Sequence, residues 1–181
     1  MKKIAILLLC LFVTAAAHAQ NDGSAASGSG TPVVDSKTIW QETFGSDLID
    51  VGGKAVSPEV LQNKIVGIYF SAHWCPPCRA FSPELVKFRN AHKDQFEVVF
   101  VSSDKDAAAQ KQYMEELKME WPAVKFGSPI ADKLSEKYGV EGIPTLVIVD
   151  PKFNTISTEG REEVTENAEG CLDAWKEKAG L

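Results

Sequence analysis

The sequence predicts an α/β domain in which a central mixed β-sheet carries helices on both faces. Three observations lead to this fold class. Short apolar runs, "KIVGIYF", "FEVVFVSS" and "TLVIVD", alternate with segments of helical periodicity. These runs are continuously apolar, which is typical of strands covered on both faces. At 181 residues and 44% hydrophobic, the chain can form one full core but not two comfortable domains.

The first 19 residues have the three parts of a secretory signal peptide. Two lysines precede an apolar stretch too short to span a bilayer permanently, and Ala17 and Ala19 mark a cleavage site before Gln20. A lipoprotein anchored through Cys10 is the alternative, but Leu9 fills the position where that processing needs a small residue. We therefore expect export across the inner membrane, a periplasmic or extracellular location, and no stable membrane insertion after cleavage.

The next segment, residues 20–37, is rich in Gly, Ser, Asn and Ala and poor in large side chains. This composition predicts a flexible linker, followed by one domain over residues 38–181. Loss of the two N-terminal lysines leaves 17 basic and 25 acidic side chains, a formal charge of −8. Nucleic acid is excluded as a partner, because phosphate backbones are bound by clustered Lys and Arg.

Strands and helices alternate along the predicted domain. A helix after the first strand is indicated by apolar residues at helical spacing with Pro77 near their start, and another stops at Gly139. The predicted strands cover residues 64–70, 96–103 and 145–150, with an antiparallel edge strand within 152–158. The predicted helices cover residues 77–93, 106–119, 128–140 and 162–178.

The stretch "SAHWCPPCRAF" brackets two prolines with two cysteines directly after the first predicted strand. A strand-to-helix loop places Cys75 at a helix N-terminus, where unpaired N–H groups and the macrodipole favour a thiolate and lower the thiol pKa. Cys78, one helical turn later, can form a disulfide with Cys75 and release a bound partner. Pro76 and Pro77 lack N–H groups and restrict the loop, so they shape the geometry of the dithiol.

Two structural interpretations of the cysteine pair compete with redox chemistry. C-x-x-C is also a zinc-ligand spacing, but the other candidate ligands, Cys171, His73 and His92, form no second close pair. A static structural disulfide would be expected to tie distant segments together, whereas this pair lies within one loop. We therefore predict a redox-active dithiol with no metal and no cofactor.

A second signal is "GIPTLVIV", in which Ile143-Pro144 immediately precedes an apolar strand. Proline interrupts a strand ladder unless it stands at the start of the strand in a special turn. A cis Ile143-Pro144 bond would explain this position, and an ordinary trans proline at a strand edge is the alternative. Because the sequence also contains the Cys75-Cys78 pair, we favour the cis bond.

Four segments, "FSAHWCPPCRAFSPEL", "FEVVFVSSDKD", "YMEELKMEWPAVKF" and "YGVEGIPTLVIVD", resemble in this order the nucleoredoxin and tryparedoxin branch of the thioredoxin superfamily. The resemblance covers residues 48–156 and implies a thioredoxin-like fold. It further implies that Cys75 is an exposed nucleophile, that Cys78 is the resolving cysteine, and that a cis Pro144 faces them.

The resemblance also implies a docking surface formed in part by Trp74 and the backbone at Ile143. The predicted substrate-binding residues are Trp74, Pro76, Pro77, Ile143 and Pro144. We expect protein thiols and disulfides as substrates, an electron donor that the sequence does not identify, and a monomer.

The sequence departs from many thioredoxins beneath the cysteines. Their buried carboxylate, six positions before the first cysteine, is replaced here by Tyr69. We expect Tyr69 to be a packed core aromatic, which leaves the general base for Cys78 unassigned. His73 is expected to be a loop residue rather than a proton donor.

Other residues of interest have structural interpretations. Cys171 is expected to be a buried small hydrophobe, and Trp121 to pack in the core or near the site. For Arg79, stabilisation of the thiolate and simple solvation are equally expected. The charged segments 104–110 and 136–142 are expected to be solvated helix faces.

The predicted function is an exported thiol–disulfide oxidoreductase that reduces or exchanges protein disulfides through a Cys75-Cys78 dithiol/disulfide cycle. Two alternatives stay open: a periplasmic reductant for cytochrome c maturation, a class that also carries "WCPPC", and a non-catalytic binding module of the same fold. A thiol peroxidase is disfavoured because its P-x-x-x-T-x-x-C motif needs Pro and Thr where this chain has Ile68 and Ala72.

Overall fold

A computed structural model describes residues 36–181 of the chain. The predicted signal peptide, residues 1–19, and residues 20–35 of the predicted linker lie outside the described residues. The last two residues of that linker, Ser36 and Lys37, already belong to the first helix. Regular structure therefore begins two residues before the predicted start of the domain.

Six α-helices, six strands and one short 3-10 helix, Pro58–Leu61, make up the described residues. The α-helices are α1 Ser36–Phe44, α2 Pro76–His92, α3 Ala107–Glu116, α4 Pro129–Tyr138, α5 Gly160–Asn167 and α6 Cys171–Ala179. The strands are β1 Leu48–Ile49, β2 Ile65–Ser71, β3 Phe96–Ser102, β4 Ala123–Val124, β5 Thr145–Val149 and β6 Thr155–Ser157.

The strands form one mixed sheet in the order β1-β4-β3-β2-β5-β6. β2 runs parallel to β3, from the pair Ile65 and Phe96 to the pair Ser71 and Ser102. On its other side β2 is antiparallel to β5, and β6 pairs antiparallel with β5 at the edge. The predicted mixed sheet and its antiparallel edge strand are confirmed.

Strand β2 separates two buried clusters, because successive side chains of a strand point to opposite faces. Ile65 and Tyr69 face the cluster that contains the buried side chains of α2, α3, α5 and α6, which we call the α2 face. Val66, Ile68 and Phe70 face the cluster that contains those of α1 and α4, which we call the α1/α4 face. Helices therefore cover both faces of the sheet, as predicted.

The C-terminal segment differs from its prediction. One helix over residues 162–178 is wrong, because the chain forms α5 and α6 with a turn at residues 168–170. Within this turn the N–H of Gly170 donates to the Asn167 carbonyl at 3.1 Å. A Cβ at position 170 would lie 2.9 Å from the amide nitrogen of the exposed Asn167 side chain, which would have to shift to make room for it.

Helix α1 and the two-residue strands β1 and β4 were not predicted. Strands of two residues show no periodicity in the sequence, and here they depend on pairing. Leu48 and Ile49 pair with Val124 and Ala123, and Ala123 pairs in turn with Phe100 of β3. These elements extend the sheet through contacts between segments that are distant in sequence.

Among residues 36–181, no helix has the length and apolar character that crossing a membrane requires.

Candidate active site

The two cysteines of "WCPPC" lie at the N-terminus of α2, directly beyond the end of β2. Cys75 is the N-cap residue, and its Sγ accepts a hydrogen bond from the backbone N–H of Cys78 at 3.3 Å. Pro76 and Pro77 follow as the first two helical residues, where a missing N–H leaves no helical hydrogen bond unmade. The predicted position of Cys75 at a helix N-terminus is confirmed.

Cys75 and Cys78 are joined by a disulfide bond. Cys75 is 4% exposed and Cys78 is fully buried, so the expectation of an exposed Cys75 is wrong. Both cysteines belong to the buried cluster of the α2 face, which covers most of their surface. Cys75 is still the more accessible residue of the pair, which is the order that nucleophile and resolving cysteine require.

The Ile143-Pro144 peptide bond is cis, as predicted. It brings the start of β5 next to the cysteines, with the Ile143 carbonyl oxygen 3.8 Å from the Cys75 Sγ. Pro144 itself is buried, whereas Ile143 is partly exposed. The partly exposed Ile143 therefore lies directly beside the Cys75 sulfur.

A groove of about 670 Å³ runs past Cys75 between the α2 N-terminus and α4. Its lining includes the predicted substrate-binding residues Trp74, Pro76, Pro77 and Ile143, whereas the fifth, Pro144, is buried and does not line it. Trp74 is 65% exposed, and its indole N–H donates to the Ser103 carbonyl at 3.1 Å. This hydrogen bond holds a large exposed aromatic ring at the side of the groove.

Asp104 holds the loop before Cys75, a role that the sequence did not indicate. Its carboxylate accepts the backbone N–H of His73 at 2.8 Å and the hydroxyl of Ser102 at 2.8 Å. The prediction that segment 104–110 is only a solvated helix face is therefore wrong for Asp104, which is buried. It is also wrong for Asp106, whose side chain caps α3 by accepting the Ala109 N–H at 2.8 Å.

His73 and Arg79 do not line the groove and share one partner, Glu116. The Glu116 carboxylate lies 2.8 Å from His73 Nε2 and 3.5 Å from Arg79 Nη1. Hydrogen bonds from Gln112 and then from His73 lower the pKa of the Glu116 carboxyl below its usual value. Arg79 is thus paired with a carboxylate and is not merely solvated.

Four hydroxyl groups form a buried cluster beneath Cys78. Ser82 donates to the Cys78 carbonyl at 2.9 Å, and its oxygen lies 2.8 Å from the Tyr69 hydroxyl and 2.7 Å from that of Tyr113. The Ser71 hydroxyl oxygen lies 3.0 Å from the Tyr69 hydroxyl and 2.9 Å from the Tyr113 hydroxyl. If both tyrosines donate to Ser82 and Ser71 donates to a tyrosine, every hydroxyl proton has an acceptor. The hydroxyl groups therefore satisfy one another's hydrogen bonds, and the bond from Ser82 anchors the main chain at Cys78.

Tyr69 is a packed core aromatic, as expected, but it is also a member of this cluster. Burial, and then the charge of Tyr113, raise its pKa well above the ordinary value for tyrosine. The Tyr69 hydroxyl consequently stays protonated at neutral pH, where it can donate a hydrogen bond but cannot act as a base. We therefore do not assign Tyr69 as the general base for Cys78.

The remaining candidates lie in the core. Trp121 is buried in the same cluster as the two cysteines. Cys171 is a buried free cysteine, as expected, and burial together with the nearby Glu163 raises the pKa of its thiol to about 11. Within residues 36–181, no group of three or more His, Cys, Asp or Glu side chains is arranged to hold a metal ion.

Comparison with known sequences agrees with this geometry. A sequence-family model described as Thioredoxin-like matches residues 63–155. Nucleoredoxin of Mus musculus is 38% identical over 147 residues, which cover 78% of this chain and 33% of that protein. Probable nucleoredoxin 1 of Arabidopsis thaliana is 38% identical over 138 residues, which cover 72% of this chain and 23% of that protein. The chain thus spans about a third or less of the length of these relatives.

Solved structures of single-domain size are also similar. Thioredoxin from Wuchereria bancrofti superposes with a TM-score of 0.65 at 40% identity, covering 74% of this chain and 95% of that one. Tryparedoxin II from C. fasciculata superposes with a TM-score of 0.67 at 34% identity, covering 74% of this chain and 91% of that one. With the cysteine pair, the cis proline and these matches, the chain belongs to the thioredoxin-like family, in its nucleoredoxin and tryparedoxin branch, whose members are thiol–disulfide oxidoreductases.

Proposed function

We propose that this chain is an exported thiol–disulfide oxidoreductase that reduces or exchanges disulfides of other proteins. The observation that carries the proposal is the position of the Cys75-Cys78 disulfide at the N-terminus of α2, beside a groove and 3.8 Å from the Ile143 carbonyl. A helix N-terminus stabilises the thiolate that attacks disulfides. The groove leaves room for an extended segment of a partner next to that sulfur.

The reaction has two exchange steps. In the reduced protein, the Cys75 thiolate attacks one sulfur of a partner disulfide, so that a mixed disulfide forms and one partner thiolate leaves and takes up a proton. The Cys78 thiolate then attacks the Cys75 sulfur, which releases the second partner thiol. The partner gains two electrons, and the chain ends as the Cys75-Cys78 disulfide. A dithiol donor returns it to the reduced state by the reverse exchange.

The Ile143 backbone supports docking by strand addition. The described backbone hydrogen bonds outside helices and strands do not use its N–H or its C=O, and the residue precedes β5. An extended partner segment can pair with these groups while its cysteine lies over Cys75. We expect a monomer to suffice, because both cysteines and the groove come from one chain.

Reduction of insulin disulfides tests the proposed activity. With a dithiol donor, the wild-type protein should accelerate precipitation of the insulin B chain, and added chelator should not change the rate. A Cys171→Ser variant, which leaves the pair intact, is the control and should match the wild type. Failure of the wild type to exceed the donor alone would favour the non-catalytic binding module.

Export is supported by the sequence pattern of residues 1–19, which the structure does not describe. The intact mass of the protein recovered outside the cytoplasm should correspond to a chain that begins at Gln20. A lipid adduct on Cys10 would instead establish the anchored alternative. Recovery of the full-length chain in the cytoplasm would contradict export while leaving the redox activity intact.

A further inference from the structure

We propose that the groove beside Cys75 selects partner segments that carry Lys or Arg close to the cysteine of the disulfide being reduced. This inference rests on the proposed function, since it names the class of substrate for the same site. Two charged side chains line the groove, Asp132 of α4 and Glu141 of the loop before β5, and both are acidic. No lysine or arginine is among the described residues that line it.

Neither acid is neutralised within the described part of the molecule. Asp132 and Glu141 are exposed, and no ion pair or side-chain hydrogen bond among residues 36–181 involves either carboxylate. Lys137 of α4 is directed elsewhere, since its Nζ lies 3.7 Å from the centroid of the Phe153 ring. The groove lining therefore carries two negative charges and no positive one, although Lys125 shares a neighbouring pocket with Asp132.

Helix stability accounts for only one of the two acids. Asp132 lies in the first turn of α4, where the macrodipole favours a carboxylate. Glu141 lies two residues beyond the Gly139 C-cap, at the end where the macrodipole disfavours a negative charge. Because Glu141 lies in the loop beyond α4, no helix interaction accounts for its charge, and a cationic ligand in the groove gives it a function.

Trp74 supplies a second, independent feature that suits a cation. Its indole is 65% exposed, lines the groove and is oriented by the hydrogen bond to Ser103. An ammonium or guanidinium group over such a ring gains cation–π attraction. An oriented exposed tryptophan together with unpaired carboxylates is a combination suited to binding Lys or Arg side chains.

The distance along the chain limits where the basic residue must lie. Ile143 contacts the Cys75 sulfur through its carbonyl, and Glu141 is two residues away. Two extended residues span at most about 7 Å. A partner paired with Ile143 therefore brings a Lys or Arg side chain to Glu141 when that residue is within about two positions of its cysteine.

Single-turnover reduction of matched peptides tests this inference. Two synthetic peptides of equal length each carry one cysteine in a mixed disulfide with 5-thio-2-nitrobenzoate. They differ only at the two positions that lie two residues before and two residues after this cysteine, which are both Lys in one peptide and both Glu in the other. The reduced wild-type protein should consume the Lys peptide about fivefold to tenfold faster at low salt, the effect of two exposed charge pairs. The preference should shrink in high salt, which screens exposed charges.

Asp132→Asn with Glu141→Gln should reduce the preference to about twofold or less. Glu136→Gln is the matched control, because Glu136 is exposed on the same helix but does not line the groove. An unchanged preference in the double variant, or faster reduction of the Glu peptide by the wild type, would show the inference to be wrong while the proposed activity stands. If the wild type reduces neither peptide faster than Cys75→Ser does, the proposed function itself fails.

Discussion

The two faces of the central sheet are both buried, but their cores differ in chemistry. The cluster of the α1/α4 face consists of aliphatic and aromatic side chains, such as Trp40, Phe44 and Ile68. The α2 face includes the hydrogen-bonded hydroxyls beneath Cys78 as well as apolar side chains. Apolar packing stabilises without strong directional preference, whereas a satisfied polar cluster fixes geometry. We infer that the α1/α4 face chiefly stabilises the fold and that the α2 face chiefly positions the cysteines.

The largest expected effect lies on the α2 face and concerns chemistry alone. Cys75→Ser should abolish disulfide exchange, because the attacking thiolate is lost. Cys78→Ser should still attack a partner and then accumulate the mixed disulfide, since only resolution is lost. Non-reducing gels and intact mass after incubation with a disulfide-containing protein measure both outcomes. Turnover retained by Cys75→Ser would show that the nucleophile is assigned wrongly.

Removal of a large side chain from the α1/α4 face should affect stability rather than chemistry. Trp40→Ala should lower the free energy of unfolding by about 3–5 kcal/mol, the usual cost of truncating a buried aromatic residue. Urea unfolding measures this change. Trp74→Ala is the matched control at an exposed position, and we expect a stability change of about 0.5 kcal/mol or less together with slower reduction of peptide disulfides. If Trp74→Ala lost more stability than Trp40→Ala, or if only Trp40→Ala slowed the reduction, the proposed stabilising role of the α1/α4 face would be contradicted.

Asp104 tests whether a hydrogen bond between loops positions Cys75. Asp104→Ala leaves the His73 N–H without its buried acceptor, and we expect stability to fall by about 1–3 kcal/mol and kcat/KM for disulfide reduction to fall with it. Asp104→Asn keeps a carbonyl oxygen that can accept this bond, so it should restore most of the activity. Equal losses in both variants would show that the charge, rather than the hydrogen bond, is needed.

One substitution made on each face compares their buried hydroxyls directly. Tyr69→Phe removes a hydroxyl with several partners, and we expect a loss of about 1–2 kcal/mol. Tyr138→Phe removes a buried hydroxyl for which the described residues provide no hydrogen-bond partner, on a side chain packed against the α1/α4 cluster. The stability of this second variant should be unchanged or higher. Equal losses measured by urea unfolding would show that the cluster beneath Cys78 contributes nothing special.

The smallest expected effect concerns how the free energy of unfolding depends on pH in alkaline solution, through one tyrosine on each face. Burial raises the pKa of both Tyr69 and Tyr138 above the ordinary value. Below about pH 10 both tyrosines are protonated in the folded and unfolded states. Above it the unfolded chain ionises first, so the free energy of unfolding should decrease as pH rises.

Urea unfolding at increasing pH measures this decrease. A Cys171→Ala background removes the thiol, whose pKa is also raised, to about 11. Tyr69→Phe and Tyr138→Phe should each make the decrease with pH less steep. A decrease that neither substitution alters would assign the alkaline sensitivity to other groups.

Patterns of neighbouring residues were sufficient to predict the reactive centre. The spacing of Cys75 and Cys78, the prolines between them and the apolar run before them indicate a helix N-terminus carrying a dithiol, and the structure has this arrangement. Ile143-Pro144 could be predicted because a proline at the start of an apolar strand needs a special turn. Each of these features depends on the conformational preferences of a few adjacent residues, which are present in the sequence itself.

Tertiary structure alone decided what surrounds that centre. Asp104 contacts His73 across 31 positions, and Tyr113 contacts Ser71 across 42 positions. No local pattern distinguishes Asp104 from a solvated charge or Tyr113 from a core aromatic, because their roles depend on which strands and helices become neighbours. The sequence by itself determined the fold class and the cysteine chemistry. Packing between distant segments decided how deeply the cysteines are buried, which hydroxyls lie beneath them, and which charges line the groove.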